Sequence, residues 1–278
     1  MTFTYGKNVL VTGASSGIGL AISMLFAQKG FQVWGVSRSG KANRELPAGV
    51  RLRCMDVTNE DSVALGIQTI WGEMKKETGE GFGTIIHCAG WGIGGAAEDT
   101  PQAEAERQLQ TNYFGVLRVN RHALPLMRAR GPAMVLVVGS IAGRISIPFQ
   151  SHYSASKFAL EAYVEALRME GASFGIRATI LEPGDTATAF TQQRVMVLPP
   201  GSPYMEKALL AVKKMEQDEI NGASPEKVAQ LALRIAVKRN PPIRSVVGFG
   251  YRLLLLAKKF LPDRLVELVI RSMYIARN

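Results

Sequence analysis

Short apolar runs alternate along the chain with longer segments in which apolar residues recur at helical spacing. Several short runs are apolar throughout, which is typical of strands covered by helices on both faces. The alternation predicts an α/β fold with a doubly wound parallel sheet of about seven strands. The predicted strands are residues 8–12, 32–37, 50–57, 84–89, 133–139, 177–182 and 245–249.

Helical periodicity fills the segments between most of these strands. The alternation stops over residues 185–224, which contain three prolines and a glycine in close succession, Pro199, Pro200, Gly201 and Pro203. Because a long insertion after the carboxyl end of a strand is often a binding lid, we expect this segment to cover a substrate. We expect one domain over residues 1–250 and an extension over 251–278. The predicted helices are residues 17–29, 60–77, 102–128, 153–174 and 225–238.

Charge is concentrated at the end of the chain. The formal net charge is +10, and residues 238–278 hold nine basic and two acidic side chains, or +7 of that total. The remainder is nearly balanced, so the composition argues against a nucleic-acid partner and for one local basic patch.

The chain shows no apolar run near the ~18 residues that a membrane span needs, and no signal-peptide pattern at its start. We therefore expect a soluble cytoplasmic protein. Cys54 and Cys88 both fall in predicted strands, so we expect small buried residues and no disulfide. No metal site is expected.

A glycine-rich turn follows the first predicted strand and opens the first predicted helix. Its spacing, preceded by threonine, is T-G-x-x-x-G-x-G. A helix N-terminus offers free N–H groups and a favourable dipole to a pyrophosphate, while Gly13 permits the tight turn and Gly19 close helix packing. The predicted phosphate contacts are Gly13, Ser15, Ser16, Gly17, Ile18 and Gly19.

Tyr153 and Lys157 are four residues apart, so they share one face of a helix. Lowering the pKa of a tyrosine from ~10 towards 7 requires about 4 kcal/mol. An ammonium at about 5 Å contributes roughly 3 kcal/mol at an effective dielectric of about 20. We expect Lys157 to lower the pKa of Tyr153, and Ser140, which follows a predicted strand, to hold a substrate oxygen. Asn112 interrupts a predicted helix, where asparagine is a mediocre helix former.

The glycine-rich turn at residues 13–19, called the glycine loop below, is followed in order by Asn112, Ser140, Tyr153 and Lys157. With this order the chain resembles the short-chain dehydrogenase/reductase superfamily, in its compact single-domain branch, over about residues 8–250. The resemblance implies a Rossmann-type fold and a homo-oligomer. It also implies that Tyr153 is the general acid in reduction and that Ser140 polarises the carbonyl. Lys157 would also hold the nicotinamide ribose, and Asn112 would support a water that relays protons.

The cofactor is expected to be NADP(H), with NAD possible. Where an acidic residue would bind the ribose hydroxyls of NAD, the chain has Arg38 and Ser39, which suit a 2′-phosphate; the alternative is a solvated surface arginine. His87 and Cys88 replace the family's usual asparagines, and we expect His87 to be a core residue. By resemblance, the other cofactor contacts are Asp56, Val57, Ala89, Gly90, Pro183, Gly184, Thr186 and Thr188.

The substrate pocket is expected to be apolar, which suits a steroid-, retinoid- or acyl-like ketone or alcohol. Arg144 and Arg194 are candidates to receive an anionic group. The predicted walls of the pocket are residues 141–151 and the lid side chains Phe190, Val195, Met196, Val197, Leu198, Pro199 and Pro200.

Residues 263–276 show a narrow polar stripe against a wide apolar face. The extension could rest on an anionic membrane, or it could pack on the body or in a subunit contact. Two alternatives to a ketone reductase also stay open at this point. One is a catalytically silent NAD(P)-binding regulator, and the other is an epimerase or dehydratase of the same superfamily.

Overall fold

A computed structural model describes residues 3–275. It confirms the predicted α/β fold: seven parallel strands form one twisted sheet in the order β3-β2-β1-β4-β6-β7-β9, and β5 and β8 form a separate parallel pair. The strands are β1 (Asn8–Thr12), β2 (Gln32–Ser37), β3 (Val50–Cys54), β4 (Thr84–His87), β5 (Ile93–Gly95), β6 (Ala133–Val138), β7 (Ile176–Glu182), β8 (Val195–Val197) and β9 (Arg244–Val246).

Helices cover both faces of the large sheet, which explains why its strands are apolar on both sides. Leu10 of β1 faces one core, whereas its neighbours Val9 and Val11 face the other. The helices are α1 (Gly17–Gln28), α2 (Glu60–Thr78), α3 (Gln102–Leu109), α4 (Gly115–Arg130), α5 (Ser151–Glu170), α6 (Met205–Ile220), α7 (Pro225–Ala236), α8 (Phe249–Lys258) and α9 (Asp263–Tyr274). Helices α1 and α7 cover one face, and α2, α4 and α5 cover the other.

The strand order reverses between β1 and β4. The chain runs outward from β1 through β2 to β3 and then returns to place β4 on the other side of β1. Ligands of such sheets bind in the crevice beyond the strand carboxyl ends at this switch point. Thr12, His87, Val138 and Glu182 end the four central strands along this edge.

The predicted helix 102–128 is not continuous, and this part of the prediction was wrong. A π-helical turn, Gln110–Phe114, separates α3 from α4.

The prediction that both cysteines lie in buried strands was also wrong. Strand β3 ends at Cys54 on the sheet edge, where the side chain is exposed, and Cys88 follows β4 and is partly buried. Both thiols are free.

The segment 185–224 contains regular structure that the sequence pattern did not indicate. Strand β8 pairs in parallel with β5, with Ile93 opposite Val195, and α6 follows. Three-residue strands are too short to show a periodicity. A bridge between Thr186 and Ala223 joins the two ends of the segment.

Helices α8 and α9 follow the last strand of the large sheet. Leu255 of α8 and Ile270 of α9 pack on Ile141 and Ile145, in the loop after β6. The predicted segment 263–276 is helical as far as Tyr274, and Ala276 lies outside the described residues. Within residues 3–275, no helix combines the length and apolar composition needed to cross a bilayer.

Candidate active site

The glycine loop joins β1 to α1 with almost no space beneath it. Gly13 has a φ of +67°, and a Cβ there would lie 2.7 Å from the Ala89 backbone nitrogen. At Gly19 a Cβ would lie 2.2 Å from the Gly13 carbonyl oxygen, so α1 packs directly on the turn. Ser16 makes no side-chain cap, and the first turn of α1 holds no acidic residue. The helix N-terminus is therefore free to bind an anion.

Thr12 connects the two strands at the switch point. Its hydroxyl accepts hydrogen bonds from the backbone N–H groups of Cys88, at 3.2 Å, and Ala89, at 3.3 Å. This fixes the end of β4 beside the glycine loop, so that Ala89 and Gly90 line the same crevice as Gly13.

One cleft of about 580 Å³ lies over the carboxyl edge of the sheet. Every residue predicted to contact the cofactor or the substrate carbonyl lines it, whereas Asn112, which was predicted to support a water, does not. The predicted contacts are Gly13, Ser15, Ser16, Gly17, Ile18, Gly19, Arg38, Ser39, Asp56, Val57, Ala89, Gly90, Ser140, Tyr153, Lys157, Pro183, Gly184, Thr186 and Thr188.

Tyr153, Lys157 and Ser140 converge in the middle of this cleft. The Lys157 ammonium lies 5.6 Å from the centre of the Tyr153 ring and donates to the Val138 carbonyl at 3.1 Å. Ser140, which follows β6, accepts a hydrogen bond from the Ala142 N–H at 3.1 Å as the N-cap of a short 3₁₀ turn. Phenol, ammonium and hydroxyl thus line the same cleft.

Burial is the largest influence on the pKa of Tyr153, and the expected lowering by Lys157 stays a prediction. Burial raises the pKa of Tyr153 to about 12, and the neighbouring Ser140 hydroxyl opposes this. Burial also lowers the pKa of Lys157 to about 8. Loss of solvent around the phenolate is the largest cause of the Tyr153 shift, so Tyr153 is protonated at neutral pH.

Asn112 lies behind the cleft wall, and its amide is bonded to protein groups. Its side-chain oxygen accepts from the Trp91 N–H at 3.0 Å, and its amide donates to the Trp91 carbonyl at 3.0 Å and to the Ser156 hydroxyl at 3.1 Å. A Cβ on Gly90 would lie 3.2 Å from the Asn112 oxygen and 3.9 Å from the Lys157 nitrogen. Asn112 therefore holds the segment after β4, at Gly90 and Trp91, beside Lys157, and the π-helical turn gives it that position.

At the far end of the cleft, Arg38 and Ser39 follow β2. Both are exposed, and the Ser39 hydroxyl accepts from the Lys41 N–H at 3.2 Å. Asp56 is fixed because its carboxylate accepts from the Thr58 N–H at 2.9 Å and hydroxyl at 2.8 Å. A planar cation and ordered polar groups thus face the cleft where the adenosine end of a dinucleotide would lie.

The turn after β7 is covered by the C-terminal extension. A Cβ on Gly184 would lie 2.1 Å from the Tyr251 ring, and the Tyr251 hydroxyl donates to the Asp185 carboxylate. This wall of the cleft was not predicted from the sequence, although the inner face of the amphipathic segment could have indicated it. The extension side chains that line the cleft are Tyr251, Leu254, Ile270, Met273 and Tyr274.

The lid contributes less than predicted. Phe190 lines the cleft, with its ring centre 5.5 Å from that of Tyr153. The predicted wall residues Val195, Met196, Val197, Leu198, Pro199 and Pro200 do not line it, and the first three form β8, which pairs with β5. Trp91, Arg107 and Thr111 line the cleft from outside the predicted wall and lid, and the lid also contributes Gln193, Met215 and Glu219.

Arg144 and Arg194 are not available to an anionic substrate. Arg194 is buried and forms an ion pair with Glu219, and Arg144 binds Glu182 at 3.2 Å.

His87 is a core residue, as predicted: it is buried, its Nε2 lies 3.0 Å from the Asn120 side-chain oxygen, and burial lowers its pKa to about 4.

Comparison with known proteins identifies relatives over nearly the whole chain. Residues 7–196 match the family model described as short chain dehydrogenase. A 3-ketodihydrosphingosine reductase of Bacteroides thetaiotaomicron is 36% identical over 272 residues, 97% of this chain and 98% of the relative. Retinol dehydrogenase 8 of Homo sapiens is 29% identical over 265 residues, 88% of this chain and 82% of the relative.

A solved structure has the same fold. The crystal structure of a short-chain dehydrogenase from Streptomyces avermitilis superposes with a TM-score of 0.80 at 29% identity, and the match covers 96% of this chain and 97% of that one.

Proposed function

The chain belongs to the short chain dehydrogenase family of oxidoreductases, and from this premise we propose that it is an NADPH-dependent reductase of a long apolar ketone. One observation carries the proposal. A single cleft is lined by the glycine loop, then by Ser140, Tyr153 and Lys157, and then by apolar side chains of α8 and α9. A dinucleotide site, a proton donor and an apolar wall are thus continuous.

The residues of the cleft fit a nicotinamide dinucleotide phosphate. The uncapped N-terminus of α1 suits the pyrophosphate, and Arg38 with Ser39 suits a 2′-phosphate. Pro183, Gly184 and the two threonines that follow would brace the nicotinamide, as the family resemblance implies. When bound, the reduced nicotinamide supplies the hydride for the substrate carbonyl carbon.

The chain supplies the proton and the orientation. Ser140 donates a hydrogen bond to the carbonyl oxygen, and Tyr153 transfers its phenolic proton to that oxygen as the alcohol forms. Lys157 places a positive charge near the phenolate that results. Tyr153 is protonated in the chain, as a general acid must be when it enters the reaction.

The substrate proposal rests on the apolar end of the cleft. Phe190 faces Tyr153, and Leu254, Ile270 and Met273 extend the wall away from it. Aliphatic and aromatic walls of this kind suit a hydrocarbon chain, with the ketone at the polar centre. The names of two relatives, a 3-ketodihydrosphingosine reductase and a retinol dehydrogenase, support an apolar lipid substrate.

The proposal is tested by following the absorbance of NADPH with 3-ketodihydrosphingosine, retinal and cyclohexanone as substrates. We expect a kcat/KM for a lipid ketone or aldehyde that is far above that for cyclohexanone. NADPH binding without turnover of any lipid carbonyl would instead indicate a regulatory nucleotide-binding protein. Preferential turnover of cyclohexanone would overturn the apolar assignment.

We also propose that the protein works as a homo-oligomer in the cytoplasm, as the family resemblance and the sequence pattern imply. Light scattering after size-exclusion chromatography tests the first part, and a monomer at micromolar concentration would contradict it.

A further inference from the structure

Helix α8 carries an apolar stripe on its solvent side. Phe249, Leu253 and Leu256 of α8 recur at the spacing of one helical face, and Phe260, two residues after the helix, continues that spacing; their exposed fractions run from 50% to 80%. The opposite face is used differently, because Leu255 packs in the core beneath it. The stripe therefore faces solvent, while the other side of α8 packs on the body.

Helix α9 is apolar on two sides. Val266, Ile270 and Tyr274 pack against the body, whereas Leu265 and Leu268 point to solvent with exposed fractions of 46% and 56%. An amphipathic surface helix needs only one apolar face to pack on its protein. A second apolar face favours another partner, because large contiguous apolar patches are rare on isolated proteins.

Basic side chains lie beside both stripes. Arg252 of α8 directly precedes Leu253, and Lys259, just after α8, directly precedes Phe260. Arg264 and Arg271 lie along one side of α9. All four basic side chains are exposed. Between residues 249 and 275 there are five basic and two acidic residues. Exposed apolar residues edged by Lys and Arg are typical of helices that lie in the surface of an anionic bilayer.

The charge also argues against a second copy of the chain as the partner. A two-fold contact brings the same patch of each subunit together, so each net positive surface would face another positive surface. An anionic lipid surface instead complements the basic side chains while it takes up the apolar stripes.

The stripes are adjacent to the cleft. Leu254 follows Leu253 and lines the cleft, and Met273, which is 44% exposed, lies on α9 at the boundary between cleft and solvent. The same two helices thus separate the apolar end of the cleft from the exposed apolar surface.

We propose that the outer faces of α8 and α9 dock on an anionic lipid bilayer and hold the apolar end of the cleft against it. We call this surface the docking face; it comprises Phe249, Leu253, Leu256, Phe260, Leu265 and Leu268, with Arg252, Lys259, Arg264 and Arg271. Docking is a binding property and does not depend on the identity of the ketone.

The test is co-sedimentation of the full chain with vesicles made of equal parts phosphatidylcholine and phosphatidylglycerol, and with vesicles of phosphatidylcholine alone. We expect binding to the mixed vesicles and much weaker binding to the neutral ones. Phe249→Ser with Phe260→Ser should reduce binding at least tenfold. The matched control is Leu65→Ser with Met169→Ser, two residues of similar exposure on α2 and α5, which should bind like the wild type.

A second pair of variants tests the charges. Lys259→Gln with Arg264→Gln should weaken binding to the mixed vesicles by about fivefold for each charge removed, and should leave binding to neutral vesicles unchanged. Lys75→Gln with Lys76→Gln on α2 is the control. NADPH binding by every variant shows that the fold is intact.

Absence of wild-type binding to the mixed vesicles would overturn the proposal, as would equal binding by the Phe249→Ser, Phe260→Ser variant. Loss of a wild-type oligomer in that variant, together with no vesicle binding by the wild type, would identify a subunit contact in place of a membrane surface. Because vesicle binding is measured without substrate, a failed reductase assay does not affect this result.

Discussion

The ring of Tyr251 lies directly on Gly184, so that a Cβ on this glycine would fall 2.1 Å from the ring. The Tyr251 hydroxyl accepts from the Asp185 N–H at 3.3 Å and donates to the Asp185 carboxylate. The first residues of α8 therefore close over the turn after β7. The C-terminal extension is part of the cleft rather than an appendage to it.

Gly184→Ala should destabilise the protein by about 1–3 kcal/mol, because the added methyl group overlaps the Tyr251 ring and the turn must shift. Urea unfolding measures the change. Gly250→Ala is the control, since a Cβ there meets no atom within 4 Å and α8 gains a better helix former. Equal stability of the two variants would mean that Tyr251 does not pack on the turn.

Arg38→Ala should raise the KM for NADPH by ten- to a hundredfold, or about 1.4–3 kcal/mol, because the 2′-phosphate loses its cation. The KM for NADH should change little. Steady-state kinetics with both cofactors measures this, and Arg44→Ala, an exposed arginine outside the cleft, is the control. Comparable KM values for NADPH and NADH in the wild type would refute the NADPH assignment.

Glu161 lies one helical turn beyond Lys157 on α5 and forms a buried carboxylate pair with Glu182, the last residue of β7. Glu161 accepts from Arg244 Nε at 2.7 Å, and Glu182 lies 3.6 Å from the same nitrogen and accepts from Arg144 at 3.2 Å. One oxygen of each carboxylate has no partner among the described residues. Burial, and then the Glu182 carboxylate, raise the pKa of Glu161 to about 7.

Stability should therefore depend on pH through Glu161. Above about pH 4.5 the unfolded chain releases this proton while the folded chain keeps it, so the free energy of unfolding falls as pH rises to about 7 and then levels off. Glu161→Gln removes this dependence. Urea unfolding should show that the free energy of unfolding of the variant, relative to that of the wild type, is higher at about pH 8 than at about pH 5. The same gain in the exposed-site control Glu45→Gln would contradict the assignment.

Much of the site could be predicted because its residues are fixed by local pattern. The glycine loop has its own spacing, Ser140 marks a strand end, and Tyr153 and Lys157 are one helical turn apart. Strand ends of a parallel sheet meet at one edge, so these local signals combine into a cleft without further information.

The parts that the sequence did not indicate depend on contacts between distant segments. Strand β8 exists because β5 lies beside it, and three residues show no period of their own. The pKa of Tyr153 depends on burial, which spacing does not reveal. The wall formed by Tyr251, Ile270 and Tyr274 required knowing which face of the extension turns inward. Whether the chain divides functionally at residue 250, as the sequence analysis expected, stays a prediction.

The central claim is that the phenol of Tyr153 delivers the proton to the substrate carbonyl. Tyr153→Phe removes the hydroxyl and keeps the ring that faces Phe190 at 5.5 Å. The decisive measurement is single-turnover oxidation of bound NADPH by a lipid ketone in this variant, beside NADPH binding by fluorescence titration. We predict unchanged NADPH binding and a rate lower by about 10²–10⁴-fold. A variant that turns over at the wild-type rate would contradict the account.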